Sequence, residues 1–479
     1  MDVASPPPYR RLSRPVGPAP QSVNELPAYT RSRRHTLAQP VVRREPTEHV
    51  FQLMDGRKPW VVFKVYSSAR SAKSLPTFFE KENINCKLEM NAGSGDSSIQ
   101  AISATVTGRI ITGSRSEDIH TFLSITHPIW VKSSDGSRTP SGSRTPSPAG
   151  VSSSKLSGDC AWSFSIPLPR TINRQDGSED RLPETFSDPR SDASIQYDLM
   201  IKFSRGKLRT DNWQVIVCIT VCIKTAFGYV PSSRPDQPSP FRQMAYQEAV
   251  PLPGPDADPY GWQNLPTVIA EGAVFRSRAA EVQCSLSLAK PLSYTRGSVI
   301  PCYLSLFSID SQALDLVSIP SSVVVCLQRT VRYYKASGAR KAQVGWTEHS
   351  EDVATASWWH PGTSGGNVRR TDPHTCLLEG EITIPKDLKP TASMDHFSIS
   401  YSVVLRSFDV AGFQPTSNRD LLLSEPIEIT TMYARGPRPI AYSPPAYDTK
   451  AVPASPRDIG FASTVNRAEA AGFSSTRAF

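Results

Sequence analysis

Ile195-Gln196-Tyr197-Asp198-Leu199-Met200-Ile201-Lys202-Phe203 sets apolar side chains at positions 195, 197, 199, 201 and 203, with Gln196, Asp198 and Lys202 between them. A period of two belongs to a strand with one buried and one wet face; a helix would scatter those five side chains around its axis. The pattern recurs at Ile84, Cys86, Leu88 and Met90 against Asn85, Lys87 and Glu89. Ile102–Ile110, Leu123–Trp130, Trp162–Leu168 and Trp213–Ile223 complete a first set of strands. A second set runs through Val282–Leu288, Val299–Phe307, Val323–Tyr333, Gly380–Ile384, Phe397–Leu405 and Ile427–Thr431. No segment of comparable length has helical spacing. The chain is therefore expected to be all-β, built as two antiparallel immunoglobulin-like β-sandwiches.

Between the two sets, residues 231–266 carry Pro231, Pro235, Pro238, Pro240, Pro251, Pro253, Pro255 and Pro259 and read as a linker. The expected order is a basic tail (1–48), a first sandwich (49–230), the linker (231–266), a second sandwich (267–434) and a tail (435–479), both tails disordered. A tandem repeat, Gly136-Ser-Arg-Thr-Pro-Ser141 then Gly142-Ser-Arg-Thr-Pro-Ser147, interrupts the first sandwich within a disordered insertion at about 133–157. A loop insertion of this kind costs a sandwich little, because closure entropy grows slowly with length. Thr139, Thr145 and Ser147 each precede a proline and are candidate sites for proline-directed kinases.

The net charge of +9 favours acidic surfaces. Part of the excess is local, since Arg10, Arg11, Arg14, Arg31, Arg33, Arg34, Arg43 and Arg44 face only Asp2, Glu25, Glu45 and Glu48 in the first tail. No run of about 18 apolar residues suggests a membrane span, and no apolar segment resembles a signal peptide, so a cytoplasmic protein is expected. Cys86, Cys284 and Cys302 alternate in step with Ile, Val or Leu and read as reduced core residues. Cys218 and Cys222 lack zinc or redox-pair spacing, and neither metal nor cofactor is expected. No phosphate loop, nucleophile elbow or paired zinc histidines appear, so no catalytic residue is assigned. Nucleic-acid binding lacks the interleaved basic and aromatic residues of a single-strand platform.

Three tetrads carry the functional reading: Pro6-Pro7-Pro8-Tyr9, Pro444-Pro445-Ala446-Tyr447 and, more loosely, Leu26-Pro27-Ala28-Tyr29. A Pro-Pro-x-Tyr segment is pre-set as polyproline II and enters the aromatic groove of a WW domain at small entropic cost. With 43 prolines and 15 tyrosines in 479 residues, roughly 0.12 full copies are expected by chance, and two occur. Arg10-Arg11-Leu12-Ser13-Arg14-Pro15 offers Ser13 to a basic-directed kinase and, once phosphorylated, to a 14-3-3 protein; Thr36 follows a second basic run. Arg329, Arg332, Lys335, Arg340 and Lys341 suggest a basic patch for acidic cargo tails or anionic lipid, and a solvated strand face explains them equally well.

The stretches Leu75–Met90, Ile102–Ile110, Trp162–Pro169 and Ala193–Leu199 resemble the N-terminal sandwich of arrestin-like proteins. Gly380–Pro385, Phe397–Val403 and Glu425–Ile429 are similar to the C-terminal one. The resemblance spans about residues 49–434, and the tetrads sharpen it toward the fungal-type α-arrestins. It implies a non-catalytic adaptor between a WW-domain HECT-type ubiquitin ligase and integral membrane cargo such as transporters or receptors, promoting their ubiquitination and endocytosis. It also implies recruitment to the plasma membrane or endosomes. The alternative is an arrestin-fold trafficking or pH-signalling scaffold that recruits no ligase. The repeat insertion and the long segment between Tyr334 and Cys376 depart from the family pattern.

Overall fold

The structure, a computed structural model, describes residues 45–444 apart from 56, 93–98, 133–155, 157, 175–176, 206–219, 336–344, 363–371, 409 and 417–419. The first sandwich contains β1 (Thr47–Asp55), β2 (Lys58–Ser67), β3 (Thr77–Phe79), β4 (Asn83–Ala92), β5 (Ile99–Ile111) and β6 (Ile119–Val131). It continues through β7 (Gly158–Pro167), β8 (Thr171–Asn173), β9 (Glu179–Arg181), β10 (Phe186–Ser187), β11 (Ser194–Arg205) and β12 (Thr220–Val230). One sheet has the order β1-β2-β4-β7; the other runs β3-β12-β11-β5-β6, with β10 beside β11. The alternation described above supplies the core. Ile84, Cys86, Leu88 and Met90 are buried on β4, while Asn85 is exposed and Lys87 and Glu89 are half-buried. The apolar face of β11 lies opposite, and Trp60 of β2 meets Phe203 of β11 with ring centroids 5.4 Å apart. Each fully buried aliphatic or aromatic side chain of this kind contributes about 1.5–3 kcal/mol.

Residues 231–266, expected as a bare linker, hold a helix, α1 (Pro240–Glu248), and a short strand, β13 (Trp262–Asn264). Ser239 caps the helix, its hydroxyl accepting from the Arg242 N–H at 3.2 Å, and Pro240 sits in the first turn where a missing N–H costs nothing. The proline density concealed this start signal. Arg242 is 4% exposed and donates to the Lys290 carbonyl at 2.5 Å and to the Gly261 carbonyl, so the segment is fastened to the second sandwich.

The second sandwich comprises β14 (Val268–Val274), β15 (Arg278–Ala289), β16 (Ser293–Thr295), β17 (Val299–Phe307), α2 (Ser311–Val317), β18 (Val325–Lys335) and β19 (Gly345–Trp359). It closes with β20 (Thr375–Thr383), β21 (Ala392–Met394), β22 (Phe397–Arg406), β23 (Phe413–Pro415) and β24 (Leu421–Thr430). One sheet path, β16-β24-β22-β18-β19-β20-β17-β15-β14-β23, curls around its own core. The turn is made inside β19, whose residues 345–355 pair with β18 and whose Ala356–Trp359 pair with β20. Among the described residues, pairing is antiparallel except for two three-residue contacts, β3 with β12 and β16 with β24. Both parallel pieces lie beside the last long strand of their sandwich, so the two halves repeat a structural device.

Candidate strap and inter-sandwich junction

The chain leaves β24 at Thr430 and crosses the body as an extended strap up to Pro444, the first residue of the second tetrad. Its start is tied to the 231–266 segment and to β16: the Met432 N–H donates to the Ser233 carbonyl at 2.9 Å, and the Thr295 hydroxyl donates to the Met432 carbonyl at 2.8 Å. The end is held by Glu381 of β20. Its carboxylate accepts from the Tyr442 N–H at 2.8 and 3.0 Å and from the Ser443 N–H at 3.1 Å. The Tyr442 ring lies nearly parallel to Tyr246 of α1, centroids 6.5 Å apart, and its hydroxyl donates to the Ala245 carbonyl at 3.4 Å. Burial, then the charge of Glu381, pushes the Tyr442 phenol above its ordinary value.

Strand periodicity explains why this clamp is unusual. On β20, Cys376, Leu378 and Ile382 point into the core, so Glu381 belongs to the outward face with Leu377 and Thr383, both exposed. Glu381 itself is only 3% exposed. A carboxylate on the outer face becomes buried when other parts of the chain cover it; Tyr246 of α1 and Tyr442 of the strap lie close by, and the strap supplies amide donors to the charge.

A second polar assembly joins the sandwiches. Residues 184–192, around β10, meet the turn between β16 and β17, β18, β19, β22 and the segment between β20 and β22. Glu184 takes Arg296 and Lys389, each at 2.8 Å. Asp188 and Glu351 share Arg329, and Arg190 also reaches Glu351. Lys335 meets Asp192 at 2.9 Å, and Phe186 packs on Phe397 with centroids 5.2 Å apart. His120 of β6 stacks on His396 at 4.1 Å. Burial raises the Asp188 carboxyl, but the Arg190 backbone N–H and the Arg329 guanidinium more than offset it, leaving a net lowering.

This arrangement corrects the basic patch expected on β18. Arg329 is 8% exposed and already neutralised by two carboxylates. Positions 325, 327, 329, 331, 333 and 335 share one face of the strand; Arg332 lies on the other, where its guanidinium covers the Trp346 ring at 4.5 Å. One strand cannot present Arg329 and Arg332 to the same partner, and Lys335 is spent on Asp192. Arg340 and Lys341 lie outside the described residues, as do Ser13, Thr36, Thr139, Thr145 and Ser147. So do the tetrads at Pro6 to Tyr9 and Leu26 to Tyr29, and Pro445, Ala446 and Tyr447 of the second.

No local sequence pattern points to the junction acids or to Glu381. Arg329 gave a signal, being in register with the apolar set Val325, Leu327, Val331 and Tyr333, where a cation demands a buried acid. Cys86, Cys284 and Cys302 are buried as expected, and burial pushes the Cys86 and Cys284 thiols up to about 12. Among the described residues, no group of three or more His, Cys, Asp and Glu side chains is placed to hold a metal, and no helix is long and apolar enough to cross a membrane. Comparison of the chain with models of known protein families and with curated proteins gives no match.

Proposed function

We propose that this chain is a non-catalytic adaptor of the α-arrestin type, which brings a WW-domain HECT-type ubiquitin ligase to integral membrane cargo and promotes its ubiquitination and endocytosis. The observation that carries the reading is the delivery of Pro444-Pro445-Ala446-Tyr447 straight from the body by a fastened strap, with a second full tetrad at the other end of the chain. A ligand tied to a folded body brings whatever binds it close to whatever the body holds, which is the geometry a ligase adaptor needs. Tyr9 and Tyr447 would fill the tyrosine pockets of WW domains, and 14-3-3 capture of phosphorylated Ser13 would crowd the first tetrad. The double sandwich supplies the cargo-facing surface at the membrane.

The test is a pull-down of the full chain on the WW-domain array of a HECT ligase, wild type against Tyr9→Ala with Tyr447→Ala. Binding is expected to fall at least tenfold in the double variant. Undiminished binding, or none in either form, would replace the adaptor with a scaffold that recruits no ligase.

A further inference from the structure

Ser443 is followed by Pro444, so the residue whose N–H closes the Glu381 clamp also stands in a Ser-Pro dipeptide, the form read by proline-directed kinases. We propose that Ser443 is a phosphorylation site and that its modification releases the strap, freeing the second tetrad; this deepens the adaptor reading and rests on it. The γ-phosphoryl group of ATP passes to the Ser443 hydroxyl oxygen, the hydroxyl proton goes to the kinase's base, and ADP leaves.

The docked strap cannot accept the product easily. A phosphoserine carries a charge of about −1.5 to −2 at neutral pH and beside an acidic side chain acts by repulsion. The Ser443 N–H is bound to Glu381 at 3.1 Å, which keeps the new phosphate within one side chain's length of a carboxylate that is 3% exposed. Release separates the two charges and returns the phosphate to water. Glu381 is held by the strap but stands on the outward face of β20, so its exposure breaks no strand pairing. The docked form also opposes WW binding, because Pro444 is half-buried and a WW groove needs both prolines. When only a fraction of the chain has the strap undocked, the apparent affinity of the tetrad falls by that fraction. Phosphorylation raises the fraction. A kinase must take the Ser443 segment into its own cleft, which the docked contacts with Glu381 and Tyr246 oppose, so it acts on the undocked strap and traps it.

The experiment uses the full chain carrying Tyr9→Ala and Tyr29→Ala, which isolates the second tetrad. It is treated with a proline-directed kinase and ATP, and phosphate on Ser443 is located by mass spectrometry. Two readouts follow: hydrogen exchange at the amides of Tyr442 and Ser443, and affinity for an isolated WW domain. A synthetic 438–452 peptide, with and without the phosphate, measures any direct effect of the phosphate on WW contact. Phosphorylation is expected to speed exchange at both amides at least tenfold and to improve WW affinity about fivefold more in the chain than in the peptide. Glu381→Gln, which removes the charge and presents an amide to two N–H donors, should speed exchange without phosphate and abolish the further response to it. Tyr442→Ala, outside both sandwiches, is the second release variant should Glu381→Gln unfold β20.

Slow exchange in the phosphorylated chain overturns the switch, and so does absence of phosphate on Ser443 in both wild type and Tyr442→Ala. Exchange that responds while no WW domain binds chain or peptide leaves the switch standing and removes the adaptor reading.

Discussion

Gly380 lies across from Trp358 in the β19–β20 pairing, and a Cβ placed on it would overlap the indole, which is 2% exposed. Gly380→Ala is therefore expected to lower stability by about 1–3 kcal/mol, read as a shift in the urea midpoint followed by tryptophan fluorescence. An unchanged midpoint would mean that the indole has room to move. Thiol chemistry separates buried from exposed sites at the same scale. Cys222 is exposed, and Cys86, Cys284 and Cys302 are buried with their thiols pushed up, so iodoacetamide at pH 8 should label Cys222 and spare the other three until unfolding. Native labelling of Cys284 would contradict its place in the core. Individual residues were legible in sequence when a neighbour two positions away decided their fate. Cys86 follows Ile84 and precedes Leu88, so its burial follows from alternation alone. Glu381 obeys the same alternation yet ends up covered, because the segment that hides it arrives from 61 residues further along the chain. No local pattern encodes that.

Strand faces were readable for the same physical reason, and the elements that escaped were those whose local chemistry pulled two ways. Proline marks a break in most contexts, and in residues 231–266 it also supplied the first turn of α1, so the capping signal at Ser239 was outweighed by composition. The 184–192 segment escaped because its acids have meaning only against the cations of a distant element. Arg329 joins that segment to β18 and β19. Arg329→Met should leave Asp188 and Glu351 with only the more exposed Arg190 between them and lower stability by about 1–3 kcal/mol, less than the ~3–5 kcal/mol for a buried charge left with no partner. Asp188→Asn in that background should restore part of the loss, and a double-mutant cycle on the thermal midpoints measures the coupling. Simple additivity of the two substitutions would show that the pair does not couple the sandwiches.

Across the whole molecule, histidine burial couples stability to pH. Burial, followed by the neighbouring His396 ring, pulls His120 below the ordinary imidazole value of 6.5, with Asp395 opposing, and burial does the same to His49 against an opposing backbone contact from Ala72. A lowered folded value means that the unfolded chain binds more protons as the pH drops below 6.5, so stability must decline there and level off above it. The thermal midpoint should be flat from pH 7 to 8 and fall toward pH 5, and His120→Gln should reduce the fall. A midpoint that rises on acidification would reverse the sign and remove His120 as the cause. The two-sandwich architecture was the most legible level, since many strands voted for it independently. The route of the chain between and beyond the sandwiches was not, because it depends on contacts made once. That route sets a length scale. Tyr447 stands three residues past Pro444, so with the strap docked it is on a tether of about 10 Å. Undocked back to Met432, the tether grows to 15 residues, about 50 Å. On the proposed adaptor reading, docking and undocking would change the radius within which an attached ligase finds lysines, from those on this chain's own flank to those on a neighbouring molecule.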